Sequence, residues 1–285
     1  MMEFIDALTN PDIPFVRYAF IAGVLSSVAF GIIGTYVVVR RISYIAGAIS
    51  HCVLGGIGAG LYLRNHWGYT WCHPLYGAVA ASLAAAIIIG VVSLKAQQRE
   101  DTVIGALWAT GMAIGLLLIA KTPGYIDPMS YLFGNILIIS KHDLYLIALL
   151  DILVVILGAF FYNKFLAVSF DEEFARIRGI RVEFYFLLLL ILTALTVVLL
   201  VSVVGIVMVI ALLTLPAAVA SQFSRNLWHM MVWAIGICML FNAVGIGYSY
   251  VHDLPTGPTI IVFAAAVYLF VVLIGRLRTF KSLNL

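Results

Sequence analysis

Residues 184–220 read FYFLLLLILTALTVVLLVSVVGIVMVIALLTLPAAVA, and none of them is charged. About 20 apolar residues in helical form cross a hydrocarbon core of about 30 Å. The run is close to twice that length, so it has to turn inside itself, and Gly205 lies where two crossings would meet. The chain as a whole is also strongly apolar: 64% hydrophobic and 10% charged residues, with a mean hydropathy of +1.13. No soluble domain of 285 residues could hide that much apolar surface from water. The fold class is therefore all-α, a polytopic membrane helical bundle forming a single domain over residues 1–285. Nine stretches approach spanning length: 15–39, 44–63, 74–94, 102–120, 143–162, 185–203, 205–222, 228–250 and 258–275. The pair about Gly205 leaves the count at eight or nine transmembrane helices, the eighth-span reading making one segment re-entrant.

Lys and Arg are retained on the cytoplasmic side of a membrane. With nine alternating crossings, one side collects Arg40, Arg41, Lys95, Arg99, Lys164, Arg176, Arg178, Arg181, Arg225, Arg276, Arg278 and Lys281, and the other keeps Arg17, Arg64, Lys121 and Lys141. This imbalance predicts the N-terminus outside and the C-terminus inside. The opening MMEFIDALTNPDIP is acidic and runs into a full-length span, unlike a secretory signal. Cys52, Cys72 and Cys238 are an odd set without CxxC spacing, which indicates neither a disulfide framework nor a thiolate metal cage. The net charge of +3 follows from the positive-inside bias and gives no reason to invoke nucleic acid.

Immediately before the long apolar run comes the densest charge in the chain: Asp171, Glu172, Glu173, Arg176, Arg178, Arg181 and Glu183. Phe170, Phe174 and Ile177 fall at i, i+4 and i+7 and would line one face of a helix there. Such a segment is either a solvated loop or a short amphipathic helix that docks on a partner.

Ionisable groups inside a span are costly and usually face an interior path. His51 shares a helical face with Gly47, Gly55 and Gly58, a surface suited to close helix approach. It reads as a ligand for a first-row divalent metal or as a histidine hydrogen-bonded between helices. Asp151, midway along the fifth span, reads as a structural hydrogen-bond acceptor or as part of a cation path. Between the second and third spans, RNHWGYTWCH (64–73) offers His66, Cys72 and His73, although Trp67, Tyr69 and Trp71 there also suit an interfacial aromatic belt. His252 and Asp253 open a turn stiffened by Pro255 and Pro258 at the mouth of the last span. Pro216 removes a backbone donor within a span and predicts a helix kink.

Five segments in order resemble the membrane-spanning permease subunits of bacterial ABC importers for zinc, manganese or iron. They are RRISYIAGAISHCVLGG (40–56), SYLFGNIL (130–137), DEEFARIRGI (171–180), VVGIVMVIALLTLPAAVA (203–220) and DLPTGP (253–258). The resemblance implies a multi-pass protein of the bacterial inner membrane, working as a homodimer with two cytoplasmic ATP-binding subunits and an extracytoplasmic metal-binding protein. It implies a transport subunit rather than an enzyme, with no permanently bound cofactor and with a divalent metal, zinc or manganese ahead of iron, as cargo. Residues 165–183 would form the cytoplasmic coupling segment, its ATPase contacts drawn from Phe170, Asp171, Glu172, Phe174, Ile177, Arg178 and Gly179. The metal path would include His51, Asp151, His252 and Asp253. The family usually carries an Asp one helical turn before the histidine of the second span, and Gly47 stands there instead. The DLPTGP turn leans toward the zinc-type branch.

The chain contains no GxxxxGK[ST], so ATP would be hydrolysed in trans. Two alternatives fit less of the chain. A secondary cation transporter would show inverted repeats and charged relays across several spans. A permease for a siderophore or corrinoid would need a wider path than the glycine face around His51 suggests.

Overall fold

The computed structural model describes residues 2–9, 14–69, 71–95, 100–124, 127–134 and 139–283. Residues 1 and 10–13 of the acidic opening, Thr70, Arg99 and residues 135–137 of SYLFGNIL lie outside them. In chain order the helices are α1 (Met2–Thr9), α2 (Pro14–Val39), α3 (Ser43–His66), α4 (Pro74–Lys95), α5 (Glu100–Lys121), α6 (Pro128–Phe133), α7 (Lys141–Phe160), α8 (Tyr162–Phe170), α9 (Glu172–Ile177), α10 (Val182–Val204), α11 (Ile206–Ser221), α12 (Leu227–Val251) and α13 (Thr256–Leu283). Among the described residues no strand occurs. This is what lipid requires of an open chain, because a helix satisfies its backbone polar groups internally. Among the described residues eight helices are long and apolar enough to cross a membrane: α2, α3, α4, α5, α7, α10, α12 and α13.

The uncharged run divides at a single residue. Gly205 caps α10 at φ 84°, a left-handed backbone that costs a side chain about 1–2 kcal/mol. The expected turn is thus a one-residue break rather than a loop. The expected stretch 205–222 becomes α11, whose 16 residues rise only about 24 Å. α11 runs continuously through Pro216, so the proline does not divide the helix. Gly205 lies against Gly134, which ends α6 at φ 67°, and a Cβ on either glycine would press into the backbone of the other segment. Gly134 of SYLFGNIL and Gly205 of VVGIV therefore meet backbone to backbone.

The chain packs as two compact units. One comprises Val39–Gly134 and Ile156–Ile210, and α3 is its centre. A Cβ on Gly55 would lie 2.9 Å from the carbonyl oxygen of Gly111, and one on Gly58 would lie 2.6 Å from that of Gly115, so α3 and α5 approach through small residues. On its other side α3 meets α4, where Gly56 and Gly77 face each other. Close approach replaces the hydrophobic drive that lipid cannot supply.

The other unit comprises Met1–Val38, Asn135–Val155 and Ala211–Leu285. Here α2 is the shared support. Its Gly31 lies against Ile235 of α12, and its Gly34 against the Leu213 carbonyl of α11. The buried Asn242 of α12 donates from Nδ2 to the Gly23 carbonyl at 2.9 Å and to Ser27 Oγ at 3.1 Å. α12 in turn packs on α13, with Gly245 against Ile260. Large apolar side chains such as Leu117, Leu149 and Val262 stay exposed on outer faces, as expected where the surrounding solvent is lipid.

Gly205→Ala combines a strained φ with a backbone clash. In detergent its thermal midpoint is expected to fall by about 5 °C or more, whereas Gly236→Ala, where an added Cβ meets nothing within 4 Å, should leave it unchanged or slightly raised.

Candidate functional site

α3 carries His51 inward, at 8% exposure. The imidazole stacks on the Trp108 indole of α5, with ring centroids 4.7 Å apart and planes 26° from parallel. Its Nδ1 is buried and has no hydrogen-bond partner among the described residues. The interhelical hydrogen bond that sequence reading allowed for is not formed through Ser50, whose hydroxyl donates to the Ala46 carbonyl at 2.8 Å. Gly47 explains itself in the same place: a Cβ there would run into the six-membered ring of Trp108. The indole, which also packs on Tyr44 at 5.3 Å, occupies the ground beside His51 that a carboxylate would need.

Asp151 sits on the buried face of α7, in register with Ile147, Leu150 and Val154, and is 7% exposed. The backbone N–H of Ala29, in α2, donates to its Oδ1 at 3.2 Å. Its Oδ2 is buried without a partner among the described residues. A half-satisfied carboxyl in a span is unusual for a purely structural residue, since each unmet buried oxygen carries a desolvation cost.

His252 and Asp253 are held locally and face outward. His252 ends α12, stacks on Tyr248 at 4.1 Å and places Nδ1 3.0 Å from the Tyr248 carbonyl. Asp253 follows at φ 53° and is exposed. Ser249 braces the turn by donating to the Leu254 carbonyl at 2.5 Å. In the loop after α3, Trp67, Tyr69 and Trp71 are exposed, while Cys72 is buried. His66 stacks on Tyr62 at 4.8 Å, and His73 Nδ1 accepts the Leu75 N–H at 3.2 Å. Among the described residues no group of three or more His, Cys, Asp or Glu is arranged to hold a metal.

The charged segment is an elbow of two helices. Asp171 leaves helical geometry (φ −151°, ψ 103°), and its carboxylate accepts the Phe174 N–H at 2.9 Å, so it ends α8 and caps α9. The single helical face expected through Phe170, Phe174 and Ile177 is therefore divided. Phe170 belongs to α8, yet all three remain exposed, at 66%, 48% and 85%. α9 ends in a Schellman motif: the Gly179 N–H donates to Arg176 O at 2.9 Å and the Ile180 N–H to Ala175 O at 3.0 Å, with Gly179 at φ 74°. Arg178 lies 5.0 Å over the Phe174 ring. Arg176 pairs with Glu183 at 2.5 Å, tying the elbow to the start of α10.

Two residues at these sites escaped sequence reading. Trp108 carries no local signal, because its partners Gly47 and His51 lie on another helix. Arg40 looked like one more cytoplasmic charge, but it is buried against the elbow and pairs with Glu172 at 2.5 Å.

The ABC 3 transport family profile matches residues 12–275. A "probable metal transport system membrane protein" of Chlamydia trachomatis is 37% identical over 96% of this chain and 94% of its own. The manganese transport system membrane protein MntC of Listeria monocytogenes is 31% identical over 94% and 92%. Among solved structures, PsaBC from Streptococcus pneumoniae in complex with Fab superposes with a TM-score of 0.82 at 29% identity, covering 95% of this chain and 94% of that one. Eight apolar spans, a charged elbow without a nucleotide-binding motif and these likenesses lead to one assignment. The chain belongs to the ABC 3 transport family, as a multi-pass permease of the bacterial inner membrane that is not itself an enzyme and works with a separate ATPase.

Proposed function

We propose that this permease imports a divalent metal cation past His51, driven by ATPase subunits that grip the α8–α9 elbow. The observation that carries this reading is the buried imidazole whose Nδ1 has no partner among the described residues. In the Nε2–H tautomer that nitrogen offers a lone pair, the form in which histidine binds divalent metals. One chain brings no three-ligand cluster among its described residues. A homodimer would supply two His51 side chains, with water completing the shell. Manganese is the first choice of cargo, because MntC, 31% identical, is named for it. Imidazole serves zinc as well, so zinc is the competitor to measure beside it. Asp151, through its unmet Oδ2, and the exposed His252 and Asp253 before α13 are the further proposed cation contacts, all three in the other unit.

The basic residues favour placing the elbow in the cytoplasm and the N-terminus outside. There the exposed Phe170, Phe174 and Ile177 would enter an ATPase groove, with Asp171, Glu172, Arg178 and Gly179 shaping the helix that carries them. Closure of the ATPases would then rock the permease helices about the path. An extracytoplasmic metal-binding protein would deliver the cation on the other side.

Two measurements test this reading, and one between them tests the packing of Trp108 beside His51. Radioactive manganese and zinc uptake by cells expressing His51→Ala at wild-type level should fall at least about tenfold; unchanged uptake would remove His51 from the path. Gly47→Asp should lower the thermal midpoint, because over-packing against Trp108 costs about 1–3 kcal/mol, and adding Trp108→Ala should recover much of that loss; a Gly47→Asp protein as stable as wild type would show that the indole yields freely. Phe174→Asp should cut copurification of the ATPase by tenfold or more without changing the permease's own melting, as a central anchor in an interface contributes about 2 kcal/mol or more; full copurification would move the docking surface elsewhere.

A further inference from the structure

The last residue of α2 and the first of α3 are separated by only three residues, Arg40, Arg41 and Ile42. Arg40 is not a free surface charge. Its side chain is 9% exposed, and its guanidinium forks between two elements of the elbow. Nη1 donates to the carbonyl of Val168, in the last turn of α8, and Nη2 pairs at 2.5 Å with the Glu172 carboxylate, at the first position of α9. The same guanidinium lies 4.0 Å above the ring of Phe186, in the first turns of α10. One side chain thus touches α8, α9 and α10 at once, all within a single compact unit.

Two further observations give the contact a direction. Arg41 is held at φ 60°, a left-handed conformation rare for a residue with a side chain, so the link into α3 is tightly determined rather than slack. α3 then begins at once, with Ile42 as its cap and the Ile42 carbonyl accepting the Ile45 N–H at 3.0 Å. His51 follows eight residues after Ser43, about 12 Å along the same helix. Beside the fork is a cavity of about 430 Å³ lined by Ser93, Ser169 and Phe170, among others. The guanidinium is therefore flanked by space on one side and by the elbow on the other, an arrangement that allows displacement without repacking a core.

We infer that Arg40 is the latch through which movement of the docking elbow is transmitted to α3 and so to His51. The latch rests on the reading of α8–α9 as the ATPase docking segment. A force on α9 pulls Glu172; the fork carries it to Arg40; the short Arg41–Ile42 link passes it to the start of α3. Arginine suits this task because its planar group donates in two directions at once, which a lysine ammonium on a flexible stem does not reproduce. On this inference Arg40 is a positioning residue, acting on the site through α3.

The test uses the permease purified with its ATPase and reconstituted in proteoliposomes, with manganese uptake and ATP hydrolysis measured in the same vesicles. Arg40→Ala should copurify the ATPase at normal yield and still hydrolyse ATP, while manganese moved per ATP falls about tenfold or more. Arg40→Lys, which keeps the charge, should fall by a smaller factor with an unchanged thermal midpoint. It decides the matter if Arg40→Ala does not fold. An undiminished ratio in the folded variants overturns the latch. Phe174→Asp, run in parallel, separates the two ideas: retention of the ATPase by that variant overturns the docking reading, whereas a full ratio in the Arg40 variants overturns only the latch.

Discussion

The close approach of α3 to the helices beside it is the constraint on which the site depends. In lipid, helices gain little from burying apolar surface against one another, so contact has to come from backbone proximity and packing. Gly55 and Gly58 bring α3 onto the Gly111 and Gly115 carbonyls of α5, and Gly56 brings it onto Gly77 of α4. One turn before Gly55 the same face carries His51, and one turn earlier still comes Gly47. At that spacing the Trp108 indole fits only because position 47 has no side chain. Gly47, His51 and Trp108 are therefore one structural unit, and the absence of a carboxylate at 47 is the steric complement of an indole on α5.

The charged elbow shows the opposite economy. α8 is anchored by its buried Phe165 and Val168, but the short α9 leaves Phe174 and Ile177 in the open, so its shape has to come largely from caps and ion pairs. Asp171 caps one end of α9, the Schellman turn at Gly179 closes the other, and Arg176–Glu183 and Arg40–Glu172 fasten it to neighbouring elements. Ala175 is the buried point of α9, and Phe174 and Ile177 face away from the protein. A surface built this way keeps its form while leaving its apolar groups available to a partner.

Much of the helix layout was legible in the sequence because spanning length is a one-dimensional property. The expected stretch 74–94 became Pro74–Lys95, and 228–250 became Leu227–Val251. What escaped was whatever depends on competition or on distant residues. The spacing of Phe170, Phe174 and Ile177 suggested one helix, but Asp171 offers a side-chain acceptor to the Phe174 N–H, and the cap outweighed the continuous turn. The run about Gly205 showed that a turn was needed, but not that a single residue would make it. That economy depends on Gly134, 71 positions earlier, lying against it. His51 was legible as an ionisable group in a span, and Trp108 was not legible as its neighbour, since no local pattern links α3 to α5. Arg40 looked like a topological signal, and only its burial shows that it also joins three helices.

A pathway has to bind its cargo strongly enough to admit it and weakly enough to let it go. On the proposed reading the geometry around His51 favours release. Stacking on Trp108 fixes the plane of the imidazole without consuming the in-plane Nδ1, so the ring is oriented before a cation arrives and little ordering cost remains. The indole, in turn, excludes a carboxylate from position 47, which would have added a full negative charge beside the cation. Affinity then comes from geometry and from a second copy of the chain rather than from charge. A site of that kind loosens when the helices carrying its ligands separate by even a fraction of a coordination distance. Control of the site is thus control of the position of α3, which places the mechanical demand at its cytoplasm-proposed end, where Arg40 meets the elbow.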